Sequence, residues 1–406
     1  PAPGRAPAGG RPPHPTPTVS IRAMATSGHE QHTDLPGSAR SRPLRTSPLA
    51  AQHRALGARM VDFAGWQMPL EYAGGGIVAE HRAVRTAAGL FDVSHLGKLR
   101  ITGPGAADFV NTCLTGDLTR IAPGQAQYTL CCDDGTGGIV DDLIAYLHGP
   151  REVVLIPNAA NAADVRARLE AEAPRAVRVI DEHDRYAVLA VQGPRSDDVL
   201  GAVGLPAGHP YMSFRSAHWT GRAVTVCRSG YTGERGYELL IGADDAPPLW
   251  EALLADGARH GLRPAGLGAR DTLRTEMGYP LHGQDISLDT TPVQAGLSWA
   301  VGWSKPRFWG RDVLAAERER GPGRRLRGLD ARERAIPRPG MTVRAGGVPV
   351  GRVTSGTFSP TLERGIGLAL LDAGVHEGDE VEVDVRGRAA RFGVRRPPFV
   401  DASPRD

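Results

Sequence analysis

Cysteine is scarce in this chain. The four present, Cys113, Cys131, Cys132 and Cys227, show no CxxC pairing and sit in apolar stretches, which argues against a disulfide framework and against a zinc site. Cys131 and Cys132 are expected on opposite faces of a strand, each as a small buried hydrophobe. Lysine is scarcer still, with Lys98 and Lys305 the only two. Arginine therefore carries nearly all the positive charge, and acids balance it along the whole length to a net +3, so there is no basic footprint for nucleic acid. No uninterrupted apolar run approaches the about 18 residues that a membrane span needs. No GxGxxG spacing occurs, and Gly74-Gly75-Gly76 has no strand leading into it, so it reads as a loop and helix start. These absences leave a globular protein of a reducing compartment. The cytoplasm is the expected location, because prolines in the first segment break the amphipathic helix that a mitochondrial transit peptide requires.

What is present divides the 406 residues into parts. Residues 1–47 are rich in Pro, Gly, Ala, Arg and Ser and lack an apolar period, so they are expected to stay disordered. From Pro48 onward ordered signals begin, with a helix expected over 77–88 and closed by Gly89. Residues 98–104 leading into 106–114, and residues 187–194 leading into 196–203, each read as strand, Gly-Pro turn, helix. Two such units about ninety residues apart predict two α+β halves built alike within residues 48–316. A charged, Gly-Pro-containing stretch at 317–327 reads as a linker. Beyond it, short runs such as Val381-Glu382-Val383-Asp384-Val385, whose valines share one face, predict a small β-barrel or sandwich at 328–401. The fold class is α+β, since strands and helices mix without strict βαβ alternation.

Two adjacent carboxylates, Asp141 and Asp142, stand in the apolar run Gly137 to Tyr146. In an extended strand Val140, Asp142, Ile144 and Tyr146 share one face, so only one Asp can enter a given pocket. A carboxylate held against such neighbours is partly desolvated, which suits it to proton transfer or to orienting an amine; the alternative is a strand end in water. Glu238 opens the apolar strand Leu239-Leu240-Ile241, where it either accepts paired hydrogen bonds from an amidine-like edge or faces solvent. Arg270 and Arg274 fall at i and i+4 on a helix stopped by Gly278, either in a site or on a solvated salt-bridge face. The run Thr291 to Trp299 reads as a loop with a buried aromatic.

Several separated motifs in order carry a resemblance: residues 60–66 (MVDFAGW), 89–95 (GLFDVSH), 137–143 (GGIVDDL), 231–238 (YTGERGYE), 266–270 (GLGAR) and 354–361 (TSGTFSPT). From about Ser47 to Val400 the chain resembles the folate-binding aminomethyltransferases, the T proteins of the glycine cleavage system. The resemblance implies a three-module cloverleaf of two ferredoxin-like α+β parts and a β-barrel, with tetrahydrofolate in the central opening as acceptor. It implies that Asp142 faces the reacting folate nitrogens, with Tyr128, Asn158, Tyr231, Glu238, Arg270 and Tyr279 lining the pocket beside Leu96, Tyr146 and Trp299. Glu238 is expected to read the pterin's amino edge. The implied reaction transfers a one-carbon unit from the S-aminomethyl-lipoyl arm of the H protein to tetrahydrofolate, releasing ammonia and giving 5,10-methylenetetrahydrofolate in glycine catabolism. Glycine decarboxylase and dihydrolipoamide dehydrogenase are the implied further partners. Gln294 departs from the usual Glu, Arg235 from a common Asp, and Leu96 exchanges with Met. Two other classes share the scaffold, tetrahydrofolate-dependent demethylases of small methylated donors and non-catalytic folate-binding proteins of iron-sulfur cluster maintenance. The KGCYxGQ-like motif of the last is absent.

Overall fold

A computed structural model describes residues 43–405. The expected disorder of residues 1–42 lies outside the described residues. Residues 43–47, expected to belong to that tail, are part of the folded body: Arg45–Thr46 pairs in parallel with Trp66–Glu71. The buried Ser47 hydroxyl donates to the buried carboxylate of Asp92. A polar residue capped by a proline left no apolar period to read, yet it satisfies a buried acid.

The first half is an antiparallel sheet in the order Gln125–Cys132, Ile139–Gly149, Glu152–Ile156, Leu99–Thr102, Arg178–Asp181. Helices Ala106–Cys113 and Ala162–Glu172 connect its strands. Without the edge strand Gln125–Cys132, chain order and sheet order are those of a ferredoxin-like unit. The second half repeats the plan with Tyr186–Gln192, helix Ser196–Ala202, Arg222–Cys227, Gly236–Gly242, helix Ala246–Gly257 and Leu262–Pro264. Here Ala88–Asp92, from earlier in the chain, is inserted between Tyr186–Gln192 and Leu262–Pro264. The matching glycines of the two turns, Gly103 and Gly193, have φ of 120° and 134°, and a Cβ there would meet the carbonyls of Ala176 and Ala87 at 2.0 and 2.4 Å. Backbone crossing backbone explains the repeated glycine. The prolines sit before the helices and not in their first turns.

Three expectations are corrected by the backbone. The helix expected over 77–88 runs Gly76–Thr86, and Gly89 belongs to the strand Ala88–Asp92. Gly89 stands there because a side chain would strike Val84, which is a packing reason and not a helix stop. The stretch 317–327 holds the end of helix Arg311–Arg320 and the start of strand Arg324–Ala331, leaving 321–323 as the connection. Arginine-rich charge read as a linker is a solvated helix end. In the strand Ile139–Gly149 the register with Gln125–Cys132 shifts so that Val140 is the extra residue of a bulge. Val140 consequently joins the core of Leu143, Ala145 and Leu147 instead of the face of Asp142.

The third module is the expected closed barrel, ordered Arg324–Ala331, Arg364–Asp372, Val348–Ser359, Thr342–Ala345, Glu380–Val385, Arg388–Arg395. Val381 and Val383 are buried in its core. Helix Leu267–Met277, ended by Gly278 in the left-handed region, carries the joint to it. Arg274 bonds Asp271, Asp285 at 2.7 Å and Ser355 at 2.8 Å, while Glu276 accepts from Ser359, Thr361 and Arg85. The motif at 354–361 therefore fastens the barrel to this helix. No helix among the described residues is long and apolar enough to cross a membrane.

Candidate functional site

Between the two sheets, the barrel and the loop 291–302 lies a cavity of about 1130 Å³. Asp142, Tyr128, Asn158, Tyr231, Glu238, Arg270, Tyr279, Leu96 and Trp299 all line it. Tyr146, read from the sequence as a ligand contact, does not. Its buried hydroxyl lies 3.2 Å from Ser229 Oγ, which itself donates to Glu238 at 2.6 Å, so Tyr146 sits behind the wall. Tyr146 leaves the strand on the same side as Asp142, but Ser229 stands between its hydroxyl and the cavity.

The strand Ile139–Gly149 delivers the two aspartates to different surroundings. Asp141 is fully buried and accepts from the Asn158 backbone at 2.9 Å, the Asn158 side chain at 2.9 Å and the Asn161 side chain at 2.6 Å. Asp142 turns to the cavity, where the Tyr128 hydroxyl donates to Oδ2 at 3.0 Å and Asn158 Nδ2 to Oδ1 at 2.9 Å. Burial raises the proton affinity of both carboxyls, and their proximity couples them, so they titrate as a pair above the ordinary carboxylate range. Gly138 makes this possible, since a Cβ there would lie 1.9 Å from the Leu288 carbonyl, and Ile139 N donates to Ser287 and Thr290 at the same crossing.

Aromatic faces supply the walls. Trp299 stacks on Tyr128 with centroids 5.3 Å apart and 23° between planes. It is 69% exposed, so the aromatic expected to be buried in its loop stands outside; Val293, Ala295, Leu297 and Ala300 fill the core there. A tight turn at Ser298–Ala300 swings the indole outward. Tyr231 donates to the Pro280 carbonyl, lies 5.7 Å from Tyr279 and has the Arg270 guanidinium 4.5 Å above its ring. The Arg270 guanidinium makes no side-chain hydrogen bond among the described residues, and burial together with the like charge of Arg274 lowers its proton affinity while Glu238 and Tyr231 raise it. Arg274, on the same helix, is spent on the barrel joint. Neither is on a solvated face.

Several lining residues carried no assignment from the sequence. His95 is 2% exposed with an unpartnered Nδ1, and burial followed by the Arg270 charge pulls its pKa down to about 3, so it is neutral. It ends the GLFDVSH motif, which was a signal available to be read. Tyr211, Pro397 and Arg405 come from a loop and from the chain end, where no pattern marks them. The Gln294 amide donates to Glu317 at 3.0 Å. A glutamate at 294 would oppose that carboxylate.

Comparison with known proteins agrees with this architecture. Residues 49–305 match the family described as GCVT N-terminal domain, and residues 324–401 match the Glycine cleavage T-protein C-terminal barrel domain. The chain is 65% identical to the aminomethyltransferase of Frankia alni over 89% of this chain and 99% of the relative. It is 57% identical to that of Mycobacterium tuberculosis over 87% and 96%. The solved glycine cleavage system aminomethyltransferase T of Bartonella henselae superposes with a TM-score of 0.83 at 36% identity, covering 89% of this chain and 99% of that one. With the two α+β halves and the barrel all matched and relatives this similar covered almost end to end, the chain belongs to the glycine cleavage T-protein family.

Proposed function

We propose that this protein is the aminomethyltransferase of a glycine cleavage system, moving the one-carbon unit of an aminomethylated lipoyl arm on a separate H protein to tetrahydrofolate, with release of ammonia and cleavage of the carbon–sulfur bond to leave the arm as a free thiol. The observation that carries the reading is the cavity-facing Asp142, held by Tyr128 and Asn158 opposite Glu238 and the unpaired Arg270. The residues present fit a folate. Tyr128, Tyr231, Tyr279 and Trp299 offer faces to flat rings, and Glu238 offers a carboxylate to the amidine-like edge of a pterin. Bound there, tetrahydrofolate supplies the nucleophilic nitrogen.

Asp142 then has two tasks. Its carboxylate stabilises positive charge as it develops at the transferred carbon, and it takes up the proton that the attacking nitrogen must shed. Partial burial raises its proton affinity, which matches it to an amine better than an exposed Asp would be. Tyr128 and Asn158 fix the carboxylate's orientation, so proximity does the rest. Ammonia released from aminomethylated H protein is the test. Release that requires tetrahydrofolate is expected, and release indifferent to folate, or none, overturns the assignment.

A further inference from the structure

Glu238 meets the cavity from a strand with no charged residue opposite it. In the sheet it is paired with Ala190 on one side and Cys227 on the other, both small and buried. Among the described residues its side chain accepts one hydrogen bond, from Ser229 Oγ to Oε2 at 2.6 Å, and Oε1 accepts none. Ser229 is buried and is itself held. Gln192 Nε2 donates to its carbonyl at 3.1 Å, and the Thr232 hydroxyl fixes Gln192 by donating to its Oε1 at 2.8 Å. Behind Ser229, the Tyr146 hydroxyl lies 3.2 Å from Oγ. The transfer chemistry gives neither hydroxyl a task.

The direction of these bonds follows from the donors available. A carboxylate only accepts, so the single Ser229 proton is committed to Glu238 and Ser229 Oγ is left as an acceptor. The Tyr146 hydroxyl is therefore the donor to Ser229. It is placed to keep its proton: Phe214 meets the ring edge-on at 5.5 Å, and burial, then the neighbouring Cys227 and Glu238, push its proton affinity well up. Two hydroxyls in series thus point one way, toward one carboxylate oxygen, and each polarises the next. A glutamate side chain has several rotatable bonds. Pinning Oε2 withdraws much of that freedom before any ligand arrives, while Oε1 and the second lone pair of Oε2 stay available.

We propose that Tyr146 and Ser229 are positioning residues that act in series on Glu238, pre-orienting its carboxylate so that it selects a ring whose edge presents adjacent N–H donors. The inference rests on the folate reading and adds to it the residues that make the amidine-like edge a criterion for binding. A carboxylate already ordered loses less entropy when the ligand arrives, so both oxygens can meet two donors at once. A ring lacking the amino donor leaves one oxygen unpaired, and a pinned carboxylate cannot turn away from the mismatch.

Calorimetry on the full chain tests this with tetrahydrofolate and with an analogue carrying methyl in place of the ring amino group. The wild type is expected to prefer tetrahydrofolate by on the order of 10²-fold, since the analogue strands a charged acceptor. Ser229→Ala is expected to weaken tetrahydrofolate binding about tenfold and Tyr146→Phe about threefold, the scale of one charge-assisted and one neutral hydrogen bond, with analogue binding within about twofold of wild type in both. In Glu238→Ala, where no carboxylate is left to aim, adding Ser229→Ala is expected to change nothing further. Equal losses for both ligands, or a Ser229→Ala effect that persists in Glu238→Ala, would make the hydroxyls packing features and overturn the proposal. Tetrahydrofolate affinity unchanged in both single variants would overturn it as well. A wild type that binds tetrahydrofolate and the analogue equally would remove edge selection by Glu238 and the proposal with it, whereas a wild type that binds no tetrahydrofolate would overturn the folate reading itself.

Discussion

Three amide donors converge on Asp141, two from Asn158 and one from Asn161, whereas Asp142 keeps part of its carboxylate open to the cavity. The difference predicts different phenotypes. Asp142→Asn should lower kcat by on the order of 10²–10⁴-fold with folate affinity within a few-fold, because the amide keeps the shape and cannot take a proton. Asp141→Asn sets an amide against three N–H donors and should cost about 1–3 kcal/mol of stability, with a smaller loss of rate in the folded fraction. A greater rate loss for Asp141→Asn in folded protein would mean the faces are reversed. The proton affinity of Asp142 is raised, and its working form is the ionised one. Activity should therefore rise with pH through a midpoint above the ordinary carboxylate range, a limb that disappears in Asp142→Asn. For Glu238→Gln, titration calorimetry should register a loss on the order of 2–3 kcal/mol in folate binding; unchanged affinity would remove it from the site. At this scale the sequence was informative where alternation alone decides a face, as at Asp142. It misled where a bulge intervenes, at Val140, and where a turn reverses an indole, at Trp299.

Elements were legible wherever their reasons are local. The repeated strand, turn and helix, the Gly278 stop and the valine-lined barrel strand follow from spacing and composition. The inserted strand Ala88–Asp92 and the joint made by residues 354–361 depend on contacts across most of the chain, which no window of sequence contains. Glu276 makes that joint sensitive to acid. Burial alone would raise its pKa, but the hydrogen bond and charge of His81, the charge of Arg85 and the Ser359 hydroxyl hold it at about 2, below its ordinary 4.5. A depressed carboxyl stabilises the fold above its unfolded pKa, so this contribution is complete above about pH 4.5 and fades as pH falls toward 2. Melting curves across that window should fall less steeply for Glu276→Gln, which starts from a lower Tm at neutral pH. An equal slope would contradict the linkage. Gly138→Ala is expected to cost about 1–3 kcal/mol by overpacking against the Leu288 carbonyl, and to lower activity by shifting the strand end that bears Asp142. A wild-type Tm in that variant would show the crossing to be looser than described.

Among the described residues, two related α+β halves and a barrel each contribute to the wall of the central cavity. The four cysteines are buried, with the thiols of Cys131, Cys132 and Cys227 pushed well up by burial, so these thiols are not poised as nucleophiles. What the cavity wall presents is a proton-handling carboxylate among aromatic faces, fitted to a transfer whose donor arrives already activated on another protein. We propose that this donor is the aminomethylated lipoyl arm of H protein. The most direct measurement supplies tetrahydrofolate with either the loaded carrier or free methylated donors such as sarcosine and dimethylsulfoniopropionate, and follows ammonia and methylenetetrahydrofolate. Ammonia and methylenetetrahydrofolate formed in equal amounts with the carrier, and negligible turnover of the free donors, is the predicted result; brisk turnover of a free donor with no response to the carrier would contradict it.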